Sequence, residues 1–104
     1  MSDVIVTNAC PDATWGIVEN GSSPGESSIV NIDPERQRTV NQDQLANPKI
    51  LPIKLLKGDP QDPYYQINGG PKPPIILDSN NEFSILLSSG WTDPINVTIG
   101  DGQS

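Results

Sequence analysis

Phe83-Ser84-Ile85-Leu86-Leu87 and Ile95-Asn96-Val97-Thr98-Ile99 are the two stretches that decide the fold. In each stretch every second residue is a large apolar side chain. A period of two places these side chains on one face of an extended chain, as in a half-buried antiparallel strand. Gly90 and Pro94 lie between the two stretches and favour a turn. The segment therefore predicts two strands of a sheet joined by a loop.

The same alternation recurs along the rest of the chain. Leu51–Leu55 is a third clear strand, and because Pro52 cannot donate to a ladder we expect that strand to be an edge or to break there. Weaker candidates are Val4–Thr7, Ala13–Glu19, Ser27–Ile32, Tyr64–Asn68 and Ile75–Asp78. About eight short strands with turn signals every eight to twelve residues predict an all-β fold. We expect a single antiparallel β-sandwich, immunoglobulin-like or similar in topology.

The segments between these strands carry turn and loop signals. Asp78–Glu82 is rich in Asn and Asp, which predicts a hairpin between Ile75–Leu77 and Phe83–Leu87. Gly69–Pro74 resembles a stiff polyproline-like link. Asp33–Ala46 has too few apolar residues for a buried helix stripe, so we allow it one short helical turn at most. Gly100–Ser104 is expected to be a loose tail.

Length and charge restrict the class of protein. With 104 residues the chain has the size of one domain, so we take residues 1–104 as a single unit. The formal net charge is −7, and the six basic residues are not clustered in the sequence. An acidic chain without a basic patch repels polyanions, so nucleic acid is not an expected partner.

Localisation is predicted from cysteine usage and from the first residues. Cys10 is the single cysteine, so no internal disulfide can form, although small secreted domains usually have one. The first residues lack a basic region followed by an apolar run, and no stretch approaches the ~20 apolar residues of a membrane span. We therefore expect a cytoplasmic protein, or one released by a route without an N-terminal signal.

Catalytic and metal chemistry has little support in the sequence. The chain has no histidine, which is the usual general base near neutral pH and the commonest zinc ligand. Cys10 lies near Asp12, whose charge raises a thiol pKa, so we expect a small buried and unreactive side chain. The acidic loops 58–63 and 78–82 do not match the calcium-loop pattern and are better explained as turns. We predict no enzyme activity, no cofactor and no metal.

The aromatic residues are the best candidates for a binding site. Trp15 and Phe83 are expected in the core, because a small domain needs its large side chains inside. Trp91 lies in the loop between the two strongest strands, and loop tryptophans are enriched at binding surfaces. Tyr64 and Tyr65 are adjacent, so a strand would point them to opposite faces. The predicted ligand-binding residues are Trp91, Asp93, Tyr64 and Tyr65.

Two functions remain open from the sequence. One is a non-enzymatic, lectin-like binding module that uses loop residues, for cell-surface binding for example. A carbohydrate is the first expected ligand, since Asn, Asp and Ser suit hydroxyl-rich ligands, and a protein or lipid-headgroup surface is the second. The other is a structural or assembly protein, a self-associating or particle-decorating sandwich subunit and thus a possible homo-oligomer. In that case unpaired strand edges, with Pro52 and Pro71–Pro74, would lie at contacts between copies.

Overall fold

A computed structural model of the protein describes residues 3–20, 27–41, 43, 45, 50–87 and 94–102. Within these residues the chain forms eight β-strands, in the order β1 Asp3–Asn8, β2 Ala13–Asn20, β3 Ser27–Ile32, β4 Gln37–Asn41, β5 Ile50–Gly58, β6 Pro63–Ile67, β7 Glu82–Leu86 and β8 Ile95–Asp101. The described part of the chain has no helix of the length and apolarity needed to cross a membrane.

The strands form two four-stranded sheets. Sheet A has the order β4-β1-β8-β6, and sheet B has the order β3-β2-β5-β7. The predicted all-β sandwich, immunoglobulin-like or similar in topology, is confirmed. The pairing is antiparallel except between β1 and β8, which run parallel from Val4↔Ile95 to Asn8↔Ile99. A parallel pair needs a long connection, and here the whole chain between the first and last strands supplies it.

The core lies between the sheets and consists of the alternating apolar residues of both. Trp15 of β2 is fully buried, as the sequence predicts, and the edge of its ring contacts the half-buried Phe83 of β7 at a centroid distance of 5.9 Å. Other fully buried side chains are Val4, Val6, Ile17, Ile32, Val40, Leu51, Ile53, Ile85, Ile95, Val97 and Ile99. The period of two in β1, in the first half of β5 and in β8 therefore corresponds to burial.

Strand β4 corrects the prediction for Asp33–Ala46. Gln37–Asn41 forms an antiparallel ladder with β1, in which Val40 lies opposite Val4 and is fully buried. A turn precedes the strand, where Arg36 N–H donates to the Asp33 carbonyl oxygen at 3.0 Å and Glu35 has a φ of 64°. The local sequence is polar, so the strand depends on pairing with β1, which a window of sequence does not show.

The segment Ile75–Asp78 is not a strand, so the hairpin predicted across Asp78–Glu82 is wrong. The isolated bridge Tyr64↔Pro74 lies just before the segment. Within the segment the Ile75 N–H donates to the Pro63 carbonyl oxygen and the Asp78 N–H to that of Glu82. Its backbone groups therefore bond to two different partners and not to one neighbouring strand. The turn itself does form: the Asp78 carboxylate accepts the backbone N–H groups of Asn80 at 2.8 Å and of Glu82 at 3.1 Å. It leads into β7, whose partner is β5.

Pro52 lies in the central strand β5, so the expectation of an edge strand is wrong, while the expected break does occur in the ladder with β2. β5 pairs with both β2 and β7, but its ladder with β2 ends at Ile17↔Ile53, one residue before Pro52. Leu55 donates its N–H toward β7, to the Asn81 carbonyl oxygen. Because backbone groups alternate sides along a strand, the nitrogen of Pro52 faces the β2 side, beyond the last paired residue. Pro52 therefore costs the sheet no ladder hydrogen bond.

The prediction of a loose tail over Gly100–Ser104 is wrong for its first residues, because β8 includes Gly100 and Asp101. Gly100 lies opposite Tyr64 of β6. The Asp101 carboxylate accepts the backbone N–H groups of Asp62 at 2.7 Å and of Gln61 at 3.2 Å. These bonds fix the loop before β6 to the end of β8. Residues 103–104 lie outside the described residues.

Asp101 should make stability depend on pH. The backbone N–H of Asp62, and then that of Gln61, lower the pKa of Asp101 in the folded state. Because the pKa of Asp101 is lower in the folded than in the unfolded protein, its charged form stabilises the fold at any pH above the unfolded pKa of about 3.9. This contribution is lost as the pH falls through the folded pKa. The hydrogen bonds to this carboxylate are exposed, so we expect their loss in Asp101→Asn to cost ~0.5 kcal/mol at pH 7. That cost corresponds to a Tm about 2–4 °C lower.

Thermal melting between pH 7 and pH 2.5 checks this prediction. The Tm difference between wild type and Asp101→Asn should shrink as the pH falls below about 4. Asp43→Asn is the control, since it removes the same charge from an exposed residue. A difference for Asp101→Asn that stays constant down to pH 2.5 would contradict the assignment.

Candidate binding groove

The two sides of the sandwich are closed by different contacts. On the side of β3 and β4, Arg38 Nε lies 3.3 Å from the Oε2 atom of Glu19, a carboxylate with only 6% exposure. On the side of β6 and β7, the rings of Tyr65 and Phe83 stack at a centroid distance of 5.8 Å and an interplanar angle of 26°. Polar atoms therefore cover the core on the β3–β4 side, whereas the β6–β7 side presents aromatic and aliphatic surface.

An apolar groove follows the β6–β7 side of the sandwich. It has a volume of about 250 Å³ and is lined by Tyr65, Ile67, Pro71, Pro73, Ile85 and Leu86. Leu86 is 69% exposed, although it is a large apolar side chain. Sites for drug-sized ligands have about 300–1,000 Å³, so this groove accommodates one or two apolar side chains.

The proline-containing rim of the groove is fixed to β6. Tyr65 N–H donates to the Pro73 carbonyl oxygen at 3.2 Å, and Ile75 N–H donates to that of Pro63 at 2.9 Å. The side-chain amide of Gln66 donates to the Gly70 carbonyl oxygen at 2.9 Å. Proline also has a restricted φ angle. The rim is therefore held in place without a ligand, which lowers the entropy cost of binding.

The edge of sheet B next to the groove is open. The N–H and C=O groups of Glu82 bond with Asp78, on the side away from β5. Successive residues of a strand point their backbone N–H and C=O groups to alternate sides, so those of Ser84 and Leu86 face the same outer side as those of Glu82. Among the described residues, no strand pairs with this side of β7. The groove therefore lies beside backbone donors and acceptors suited to an additional strand.

The structure describes two of the four predicted site residues, Tyr64 and Tyr65, which point to opposite faces of β6. Tyr65 points inward and lines the groove. Tyr64 points to the opposite face of β6, as the alternation predicts; its ring covers Gly100, and Lys72 Nζ lies 5.3 Å from the ring centroid. Both tyrosines are half-buried. Trp91 and Asp93 lie outside the described residues, and their role stays a prediction.

The sequence reasoning did not single out Ile67, Ile85 or Leu86, and it named Pro71–Pro74 only for contacts between copies in the assembly hypothesis. Ile67, Pro71, Pro73 and Ile85 come together only through the pairing of the strands and the path of the chain after β6. One signal was available for Leu86. It occupies a position of the alternating pattern that faces away from the core, where a polar residue is usual.

A second cluster contains the only thiol of the chain. The Sγ atom of Cys10 and carboxylate oxygens of Asp12 and Asp101 all lie within 4.8 Å of one another. Cys10 is buried, and its thiol donates to Asp12 Oδ1 at 3.1 Å. Burial first, and then this hydrogen bond, raise the pKa of Cys10 to about 12. A protonated thiol is a poor nucleophile and a poor metal ligand, so this geometry does not favour catalysis.

Cys10 is therefore expected to resist alkylation. With a pKa of about 12 the thiolate fraction at pH 8 is roughly three orders of magnitude below that of a free cysteine. Iodoacetamide labelling, followed by mass spectrometry, should be at least about a thousandfold slower for the native protein than for the protein in 6 M guanidinium chloride. Native labelling within tenfold of the denatured rate would contradict the assigned environment.

Comparisons with known proteins support the fold. No protein-family model and no curated protein matches the chain. Among solved structures the chain is similar to a bacterial adhesin from Mobiluncus mulieris that contains intramolecular disulfide, isopeptide and ester bond cross-links. The TM-score is 0.54 at 14% sequence identity, and the match covers 100% of this chain and 42% of the adhesin chain. The similarity shows a shared sandwich fold, in a chain less than half as long.

Proposed function

We propose that the protein is a non-catalytic binding domain of the cell-surface type, and that it captures extended peptide segments in the groove between β6 and β7. The observation that carries this proposal is the position of an apolar groove beside an unpaired strand edge. The fold shared with a bacterial adhesin supports a role at a surface. The apolar lining favours a peptide over a carbohydrate as the ligand of this groove.

The recognition would follow the rules of strand addition. A ligand strand hydrogen-bonds to the outer backbone groups of Ser84 and Leu86, and the main chain supplies affinity without sequence preference. Every second side chain of that strand points toward the inner face, where Tyr65 and Ile85 line the groove. The preferred ligand is therefore an extended segment with apolar residues at alternating positions. The net charge of −7 of the protein favours ligands with basic residues on either side of that segment.

Ser84→Pro tests the open edge directly. Proline removes the outward N–H and adds a ring on the ligand side, while the hydrogen bonds to β5 come from the neighbouring residues. Wild type is first used to select linear peptides from a displayed random library. Fluorescence polarisation with a selected peptide should give a Kd on the order of 10–100 μM, weakened at least about tenfold in Ser84→Pro.

Ser84→Ala is the matched control, because it removes the hydroxyl and keeps the backbone N–H. It should bind the selected peptide as wild type does, whereas Leu86→Lys should bind it more weakly through the loss of the apolar rim. Equal affinity in wild type, Ser84→Pro and Leu86→Lys would overturn the proposed site. Trp91→Ala in the same assay tests whether the predicted loop residue contributes.

A segment of a second copy could also be the ligand, which would correspond to the assembly function. Light scattering across a wide concentration range separates the two functions. A monomer favours a binding module for other proteins. Self-association that Ser84→Pro abolishes favours assembly through the same groove.

A further inference from the structure

A polar pocket lies at one end of the sandwich, where β2 begins and where β3 and β5 end. Its volume is about 430 Å³, within the range of about 300–1,000 Å³ that is usual for small-molecule sites. Three segments of the chain form its walls, residues 11–14, 33–34 and 57–58. None of these residues lines the apolar groove, so the pocket is a separate candidate site.

The walls of the pocket are held in place by contacts within the protein. Fully buried Asn8 donates from Nδ2 to the carbonyl oxygens of Ala13 and Ile32, both at 2.9 Å. This side chain therefore connects the first wall with the residue directly before the second. Gly58 has a φ of 99° and lies so close to Asp12 that an added Cβ would overlap its carbonyl oxygen. The pocket is thus preformed, which lowers the entropy cost of binding.

The lining of the pocket carries charges of both signs. Lys57 supplies an ammonium group, and Asp12 and Asp33 supply two carboxylates. Thr14 adds a hydroxyl, which can donate or accept a hydrogen bond. The side chains of Thr14, Asp33 and Lys57 make no hydrogen bond or ion pair with another described residue. Asp12 accepts the Cys10 thiol through Oδ1 and has Oδ2 as a further acceptor. These polar groups are therefore available to a ligand.

We propose that the pocket binds a free basic amino acid, a small molecule with two ammonium groups and one carboxylate. The ligand carboxylate contacts Lys57 and the Thr14 hydroxyl, and its two ammonium groups lie beside Asp12 and Asp33. The ammonium of Lys57 in the same lining disfavours a bare metal ion. The net charge of −7 of the protein attracts a ligand with a net charge of +1.

A titration with L-lysine, followed by NMR of the backbone amides at constant ionic strength, tests this proposal. The charged lining residues are exposed, so each ion pair contributes at most about fivefold in affinity. We therefore expect saturable shifts at Ala13, Thr14 and Gly58 with a Kd on the order of 1 mM. Absence of saturable shifts at these amides up to about 20 mM L-lysine would overturn the proposal.

Three analogues of L-lysine each lack one of its charges. Norleucine lacks the side-chain ammonium, Nα-acetyl-L-lysine lacks the α-ammonium, and cadaverine lacks the carboxylate. Each should bind about threefold to fivefold more weakly than L-lysine, because one ion pair is lost. Equal affinity for all four molecules would show that the charges of the lining do not recognise the ligand, and it would contradict the proposal.

Lys57→Gln tests the contact with the ligand carboxylate. It should weaken the binding of L-lysine about threefold to fivefold. Cadaverine has no carboxylate, so Lys57→Gln should bind it at least as tightly as wild type does. Asp33→Asn, in contrast, should weaken the binding of both molecules. Equal effects of Lys57→Gln on the two ligands, or no effect on L-lysine, would overturn the assigned orientation and with it the proposed site.

Lys54→Gln is the matched control, because it removes the same charge from the same strand at a position opposite Glu82. It should bind L-lysine as wild type does. Ser84→Pro should also bind L-lysine normally, since the edge of β7 is not part of the pocket. Binding of amino acids by the pocket and capture of peptides by the groove can therefore fail independently.

Discussion

Asn8→Ala is expected to destabilise the fold by about 3 kcal/mol or more, because it leaves several buried polar groups without partners. Asn8 is fully buried at the end of β1. Its Nδ2 group donates to the carbonyl oxygens of Ala13 and Ile32, both at 2.9 Å, and its Oδ1 atom accepts the Cys10 N–H at 2.9 Å. One side chain thus connects the end of β1 with the start of β2 and the end of β3.

Thermal and urea denaturation measure this loss. A decrease of about 3 kcal/mol corresponds to a Tm lower by roughly 12 °C or more, a large part of the 5–15 kcal/mol typical of a domain. Asn31→Ala is the matched control, since Asn31 is exposed in β3, and it should change stability by less than about 0.5 kcal/mol. An Asn8→Ala variant within 1 kcal/mol of wild type would show that water replaces the lost bonds.

Trp15→Ala is the second large effect, with an expected cost of about 3–5 kcal/mol. The side chain is fully buried at the centre of the core and contacts Phe83 edge-on. Removal of the indole leaves a cavity that the paired strands on either side of β2 cannot close by moving inward. Because Phe83 stacks on Tyr65 in turn, the groove should lose order as well.

Trp15→Phe separates packing from hydrogen bonding. The Nε1 atom of Trp15 is buried and has no hydrogen-bond partner among the described residues. Phenylalanine keeps an aromatic ring and removes this unsatisfied donor, so its cost should be about 1–2 kcal/mol, well below that of alanine. Urea denaturation of both variants makes the comparison. Equal costs would show that Nε1 donates a hydrogen bond in the folded protein.

The strands that could be predicted are those whose own residues specify their burial. Ile95–Ile99 and Leu51–Leu55 have the alternation that a half-buried strand requires, and both lie in strands of the structure. Gln37–Asn41 is polar and becomes a strand only because β1 offers Val4 opposite Val40. Ile75–Asp78 is apolar enough for a strand, but its N–H groups bond to separate partners, Ile75 to Pro63 and Asp78 to Glu82. A prediction from the local sequence pattern therefore fails where pairing with a distant part of the chain determines whether a strand forms.

The candidate site was predicted only in part for a related reason. Tyr65 could be selected as an aromatic next to a loop, but its neighbours in the groove come from three separate segments of the chain. The open edge of β7 depends on the order of strands in sheet B, which one sequence does not specify. Exposed Leu86 was the clearest local indication, because an apolar side chain occupies an outward position.

Backbone amide hydrogen exchange, followed by NMR with and without a selected peptide, tests the central claim most directly. If the peptide adds a strand to β7, the amides of Ser84 and Leu86 should be protected in the complex, since they face the open edge. Resonances of Tyr65 and Ile67 should shift with them because these residues line the groove. Protection and shifts confined to other strands, with Ser84 and Leu86 exchanging as in the free protein, would contradict capture of an extended peptide at this edge.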